Sequence, residues 1–406
     1  MPWKRRYRVT SLFVVALLLL PAGAQAQDLA AAAAREKERR KAIGKSAPTI
    51  TEPDLALGHP TESVSATPTV EAAAAIAPGF NWFPGYYVLS SSSNPTQKQR
   101  IVDDPLVAPF HGVQFRYNWV ESELAPGNYS AGFAALDADL QRVAAKSKKL
   151  LVMLQYKKFD GTPAVPADLR TSPGPWCSGS YCGQLTTNRS SLALLWNAAV
   201  EARLKAWISA MAAHLAASPY LANVAGIVFN ETSLGTKDIT VLTAAKYDPN
   251  VYLQAIEDNL LAATTAAPKL VAFIYFEGGF VSMNGSSVKA GENLGDWILM
   301  HPRTGAGMAD LAPKDPKASN HPCANPRLQG RIPCEPAVEG SDYALTATDS
   351  LDQTFRYAMS PAPTGVLSSF ITFSYKVGTG PNAFTFADVS NYIKTHPMQN
   401  ANPPTW

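Results

Sequence analysis

From Ile76 onward, short apolar runs alternate with longer stretches of helical period, and that rhythm narrows the possible folds more than any other feature. Runs such as Leu150–Tyr156 (LLVMLQY) and Val224–Glu231 (VAGIVFNE) have almost no polar face, so they suit strands of a parallel sheet covered on both sides. Such runs fall at Tyr86–Leu89, Gly112–Trp119, Leu150–Tyr156, Val224–Glu231, Leu270–Phe276 and Ser369–Tyr375, with weaker ones at Met308–Ala312 and Tyr343–Thr348. Helical patterns occupy Phe133–Lys148, Ser191–Ala217, Val251–Thr265, Leu351–Met359 and Phe386–Lys394. Eight strands with helical or loop crossovers over about 330 residues predict an α/β protein, a single-domain (β/α)8 TIM barrel spanning 76–406. An open doubly wound sheet has less support. No G-x-G-x-x-G follows the first strand, and no G-x-x-x-x-G-K-[ST] occurs.

The residues before the barrel read as an address and a spacer. Lys4, Arg5, Arg6 and Arg8 precede an apolar core, Leu12–Leu20, and Ala24-Gln25-Ala26 forms a small-x-small site. Residues 1–26 are therefore expected to be a cleaved secretory signal, with an uncleaved anchor as the rival reading. The apolar run is shorter than the 20 or so residues that span a bilayer, so no stable membrane insertion is expected after cleavage. Residues 27–75 read as a low-complexity linker, where Pro48, Pro53, Pro60 and Pro68 interrupt any longer helix. Export to the periplasm or the medium fits the cysteines: Cys177 with Cys182 and Cys323 with Cys334 fall as two close pairs in loop-like segments, plausible disulfides in an oxidising compartment. A zinc site is the competing use of the four thiols, but their spacing matches no common finger. The charge, 35 basic against 32 acidic residues, is too balanced to suggest nucleic acid.

In a barrel of parallel strands the chemistry belongs at the carboxyl ends of the strands. Val224–Glu231 is notable there because its apolar run stops at an amide and an acid, Asn230 and Glu231. A plain structural reading also exists, in which Asn230 or Thr232 caps a following helix. Arg116 and Asn118 flank Tyr117, and strand alternation sends both to the same side. No His-x-His, His-Glu-x-x-His or G-x-S-x-G pattern occurs, so neither a metal, a cofactor nor a serine nucleophile is expected.

The segment GVQFRYNWVESELAPGNYSAGFAALDADL (112–140) resembles the second strand, loop and helix of family 42-like and family 5-like bacterial glycoside hydrolases of clan A. VAGIVFNE resembles that clan's fourth strand. The resemblance implies a carbohydrate ligand, Glu231 as catalytic acid/base, Asn230 at the sugar's 2-hydroxyl, and a second Glu ending the seventh strand. Glycoside cleavage needs both carboxyls, one to protonate the leaving oxygen and one to attack carbon or activate water.

This chain departs from the pattern at the second carboxylate. The run expected as the seventh strand, Tyr343–Thr348, leads to Asp349, and the other candidate is Glu277 after the fifth strand. Trp119, Tyr156, Tyr275 and Tyr375 lie on or beside expected strand ends, where rings could stack on sugar faces. Three readings stay open: a hydrolase using Glu231 with Glu277 or Asp349, a catalytically inactive barrel that binds glycan, and a barrel enzyme of unrelated chemistry. The oligomeric state has no signature in the sequence.

Overall fold

The computed structural model describes residues 79–187, 190–276, 290–311, 321–339, 350–375 and 384–404, with backbone only for 290–292. The expected signal (1–26) and linker (27–75) lie outside that set. The described residues belong to one compact unit, Ala73–Trp406.

Eight parallel strands close into a barrel: β1 (Gly85–Ser90), β2 (Gly112–Asn118), β3 (Lys149–Gln155), β4 (Val224–Phe229), β5 (Ala272–Phe276), β6 (Thr304–Met308), β7 (Cys334–Val338) and β8 (Phe370–Ser374). Neighbours in the chain are neighbours in the barrel, and β8 returns to β1 with Gly85 opposite Phe370 and Leu89 opposite Ser374. Closure removes the free edges that an open sheet would expose. Helices α1 (Pro95–Asp103), α2 (Ser130–Ala144), α3 (Ala198–Ala217), α4 (Pro249–Ala266), α5 (Ala290–Met300), α6 (Leu351–Met359) and α7 (Phe386–Ile393) supply the outer layer. The fold is the expected (β/α)8 barrel.

Six strands fall on the apolar runs, trimmed or extended by a residue or two. The other two do not. The sixth strand overlaps the expected Met308–Ala312 only at Met308, and the seventh is Cys334–Val338, ahead of Tyr343–Thr348, which lies outside the described residues. The stretch Ser191–Ala217 is also not one helix. Ser191–Ala193 joins Lys157–Lys158 and Gln184–Thr186 in a small antiparallel sheet, and α3 begins only after Asn197, whose side chain accepts from the amides of Ala199 and Val200. Both expected disulfides are formed. Cys177–Cys182 closes a hairpin in the same insertion, and Cys323–Cys334 ties the turn Pro322–Ala324 to the first residue of β7.

The barrel interior explains the unusual composition of β6. Phe273 and Tyr275 of β5 project inward, and β6 meets them with Gly305 and Gly307. A Cβ at position 307 would stand 2.0 Å from Cδ1 of Tyr275, and one at 305 would stand 2.8 Å from Cδ1 of Phe273. Above the apolar layer of Met153, Val228, Phe273 and Phe370, a buried polar group forms. Tyr275 donates its hydroxyl to Glu335 Oε1 (3.0 Å), accepts from Gln114 Nε2 (3.2 Å), and lies 3.3 Å from Thr372 Oγ1. Glu335 is fully buried, and its Oε2 has no partner among the described residues. Burial pushes its carboxyl up to about 8, against the opposing hydrogen bonds of Tyr275 and Thr372.

Candidate active site

The carboxyl ends of the strands converge on a cavity of about 370 Å³. Leu89 and Ser90 of β1, Arg116 of β2 and Ser374 of β8 line it, together with Ser91, Gln97 of α1, Phe159 and Tyr375. Two acids complete the wall: Glu231, two residues past β4, and Glu339, one residue past β7. Glu339 arrives there by strand alternation. Glu335 and Ala337 face the interior of the barrel, so position 339 continues the same face out over its mouth.

Glu231 is held by a compact set of donors. Its Oε1 accepts from Lys157 Nζ (2.5 Å) and from the Ser233 hydroxyl (2.6 Å). Lys157 also donates to the carbonyl and the hydroxyl of Ser233, at 2.7 and 2.6 Å, and its ammonium lies 4.7 Å from the centre of the Phe159 ring. Its side chain is 1% exposed while that of Glu231 is 19% exposed. The cation is thus enclosed, and the carboxylate reaches solvent through the cavity. The backbone beyond Glu231 is pinned as well: Thr232 N–H donates to Tyr275 O (2.9 Å), and Tyr252 donates its hydroxyl to Thr232 O (3.0 Å).

Of the other residues singled out by sequence, Arg116 and Tyr375 share the cavity with Glu231. Arg116 Nε is buried with no hydrogen-bond partner among the described residues, a donor left over beside two carboxylates. Tyr375 donates its hydroxyl to Asp104 Oδ2 (2.6 Å), and partial burial together with that carboxylate raises the phenol to about 12.

The remaining expected contacts are used inside the protein. Asn230 is 1% exposed; its Oδ1 accepts from Tyr156 N–H (3.0 Å) and its amide donates to Glu231 O (3.1 Å), so it staples the ends of β3 and β4 instead of lining the cavity. Tyr156 is buried beside it, and Asn118 is buried at the end of β2. Trp119 is fully buried, stacked on Trp207 at 6.1 Å with its indole N–H on Glu123 Oε2 (2.6 Å), and Tyr275 belongs to the interior polar layer. Glu277 and Asp349 lie outside the described residues.

Glu339, Phe159 and Gln97 are among the lining groups that the sequence reading does not single out. Glu339 went unseen because the strand that carries it was placed elsewhere. The usable signal was the order of residues in CEPAVE, where two acids four apart fall on one strand face.

No model of a known protein family matches the chain, and no curated protein sequence matches it. Solved structures do resemble it. An exo-β-1,4-mannosidase from Opitutaceae bacterium strain TAV5 superposes over 81% of this chain and 58% of its own, at 14% identity and a TM-score of 0.46, so the chain spans a little over half of that protein. Endo-glycoceramidase II from Rhodococcus sp. matches 77% of this chain and 79% of its own, at 12% identity and a TM-score of 0.47. A D-psicose 3-epimerase matches 78% and 91%, at 9% identity and a TM-score of 0.42. Hydrolases and an epimerase stand side by side in these likenesses, so they carry no argument about chemistry, and the barrel rests on its own closed ladder of hydrogen bonds.

Proposed function

We propose that the protein is an exported glycoside hydrolase that cleaves an O-glycosidic bond of a poly- or oligosaccharide, with Glu231 as proton donor and Glu339 as the second carboxylate. The observation that carries this reading is that these two acids, from opposite sides of the barrel, line one cavity at its carboxyl end. The chemistry needs that pairing. Glu231 protonates the departing oxygen while Glu339 attacks the anomeric carbon or activates a water. Lys157 and Ser233 both sit on Oε1 of Glu231, so the proton travels through Oε2. The ammonium is then already in place against the carboxylate that remains. Arg116 brings a second cation to the cavity, where it can offset charge on Glu339. Glu339 also supplies the seventh-strand acid that the resemblance implies, in place of Glu277 or Asp349. The two disulfides suit an exported chain, and among the described residues no helix is long and apolar enough to cross a membrane.

A second reading has its own observation. The carboxylate of Glu231 is tied up in an ion pair with the enclosed Lys157, which suits a barrel that binds glycan without cleaving it. Reducing-end release from a panel of plant, fungal and bacterial polysaccharides distinguishes the two. Under the hydrolase reading, Glu231→Gln and Glu339→Gln each lower turnover by about a hundredfold or more. Wild-type turnover in either variant removes that residue from the mechanism. Glycan binding with no release by any of the three proteins supports the binding reading. The anomeric form of the first product, followed by NMR, then decides whether Glu339 attacks carbon or activates water.

A further inference from the structure

A second cavity, of about 290 Å³, adjoins the first, and Gln97 and Tyr375 belong to the walls of both. Its remaining lining is Asn94 and Thr96 at the start of α1 and Arg100 in its last turn. The first amides of that helix are already taken, since Asn94 Oδ1 accepts from Thr96 N–H (2.9 Å) and Gln97 N–H (3.3 Å). What the cavity offers a ligand is therefore side chains: amides, hydroxyls and one guanidinium. That inventory matches the hydroxyl-rich edge of a sugar and offers little to an apolar group.

The two cavities run together at Gln97 and Tyr375. Phe159 stands on the β3 side of the first cavity, 48% exposed with the Lys157 ammonium against its ring. Glu231 and Glu339 stand on its β4 and β7 sides, Tyr375 and Gln97 on the β8 and β1 side, and the second cavity extends from these two to Arg100. Each cavity alone is at the small end of ligand pockets, which run from about 300 to 1,000 Å³. A ligand of several sugar units needs both.

We propose that the cavity at Arg100 is an outlying subsite for a neutral sugar unit, and that the substrate is an oligosaccharide reaching from the acids to Arg100. The inference rests on the proposed hydrolase for the identity of its ligand, and the test separates the two. Ladders of β-1,4-linked gluco- and manno-oligosaccharides from two to about six units serve as probes. In Arg100→Ala the ratio of kcat/KM on the longest member to that on the shortest falls roughly tenfold to a hundredfold, the effect of losing one hydrogen bond from a charged donor. A ratio within about twofold of wild type overturns the subsite. In parallel, affinity for the longest members is measured by calorimetry in Glu231→Gln, with and without Arg100→Ala. A matching loss of affinity upholds the subsite even where the wild type cuts nothing, in which case only the hydrolase reading falls. Equal affinities, or no length-dependent binding to either ladder, overturn the subsite.

Discussion

The interior acid Glu335 ties stability to pH in a calculable way. It is fully buried, and burial raises its carboxyl from the ordinary 4.5 to about 8. A raised folded value means that the native state keeps a proton which the unfolded chain has released. Stability from this group is therefore complete below about pH 4.5 and is lost as pH rises through about 8. At roughly 1.4 kcal/mol per pH unit, the loss is about 4 kcal/mol between about pH 5 and about pH 9, and more than half of it has occurred by pH 7. Glu335→Gln keeps the volume and the acceptor for Tyr275 but cannot ionise. Guanidinium unfolding of both proteins, followed by tryptophan fluorescence at steps of one pH unit, yields a difference curve. Other titrations cancel in it, including that of Glu201, which burial also raises to about 8. The wild type is expected to lose about 4 kcal/mol relative to the variant across the range. Parallel curves within about 1 kcal/mol, or a wild type that gains on the variant at high pH, would refute a neutral Glu335.

Three further perturbations have defined outcomes. Gly307→Ala drives a methyl into the Tyr275 ring and is expected to destabilise by about 1–3 kcal/mol, read as a lowered midpoint of thermal or guanidinium unfolding. From loop length, separating Cys323 from Cys334 costs about 3 kcal/mol against about 2 kcal/mol for Cys177 and Cys182, which paired serine variants compared in urea will rank. Lys157→Met keeps the stem but removes the ammonium from Glu231 and Ser233; a loss of about 1–3 kcal/mol is expected in the same assay, and an unchanged midpoint would show that the contact is energetically idle.

The barrel was legible wherever a strand supplies its own bulk. β3, β4 and β5 are buried on both faces by their own Leu, Val, Ile and Phe, and those runs announced themselves. β6 and β7 borrow bulk from their neighbours. TGAGM leaves room for the rings of Phe273 and Tyr275, and CEPAV places an acid in the polar layer that Tyr275 completes. Neither reads as apolar, because the apolar mass sits on β5. Reading the seventh strand at Tyr343–Thr348 instead of Cys334–Val338 also put Asp349 at its end and passed over Glu339, which lines the cavity. The aromatics failed for a related reason: Trp119 and Tyr156 do lie at strand ends, but they pack into the protein, and being near the mouth does not say which way a ring faces. Arg116 succeeded because its parity with Gln114 on β2 settles its direction.

The Cys323–Cys334 bond couples maturation to the cavity. Cys334 opens β7, and Glu339 stands five residues further along the same segment. In a compartment where thiols stay reduced, the origin of that segment is secured only by its ladder to β6 and β8 and by local packing. Under the proposed function, the oxidant that forms this bond also fixes the base of the strand that carries Glu339, so a chain produced in a reducing cytosol would gain full activity only on oxidation.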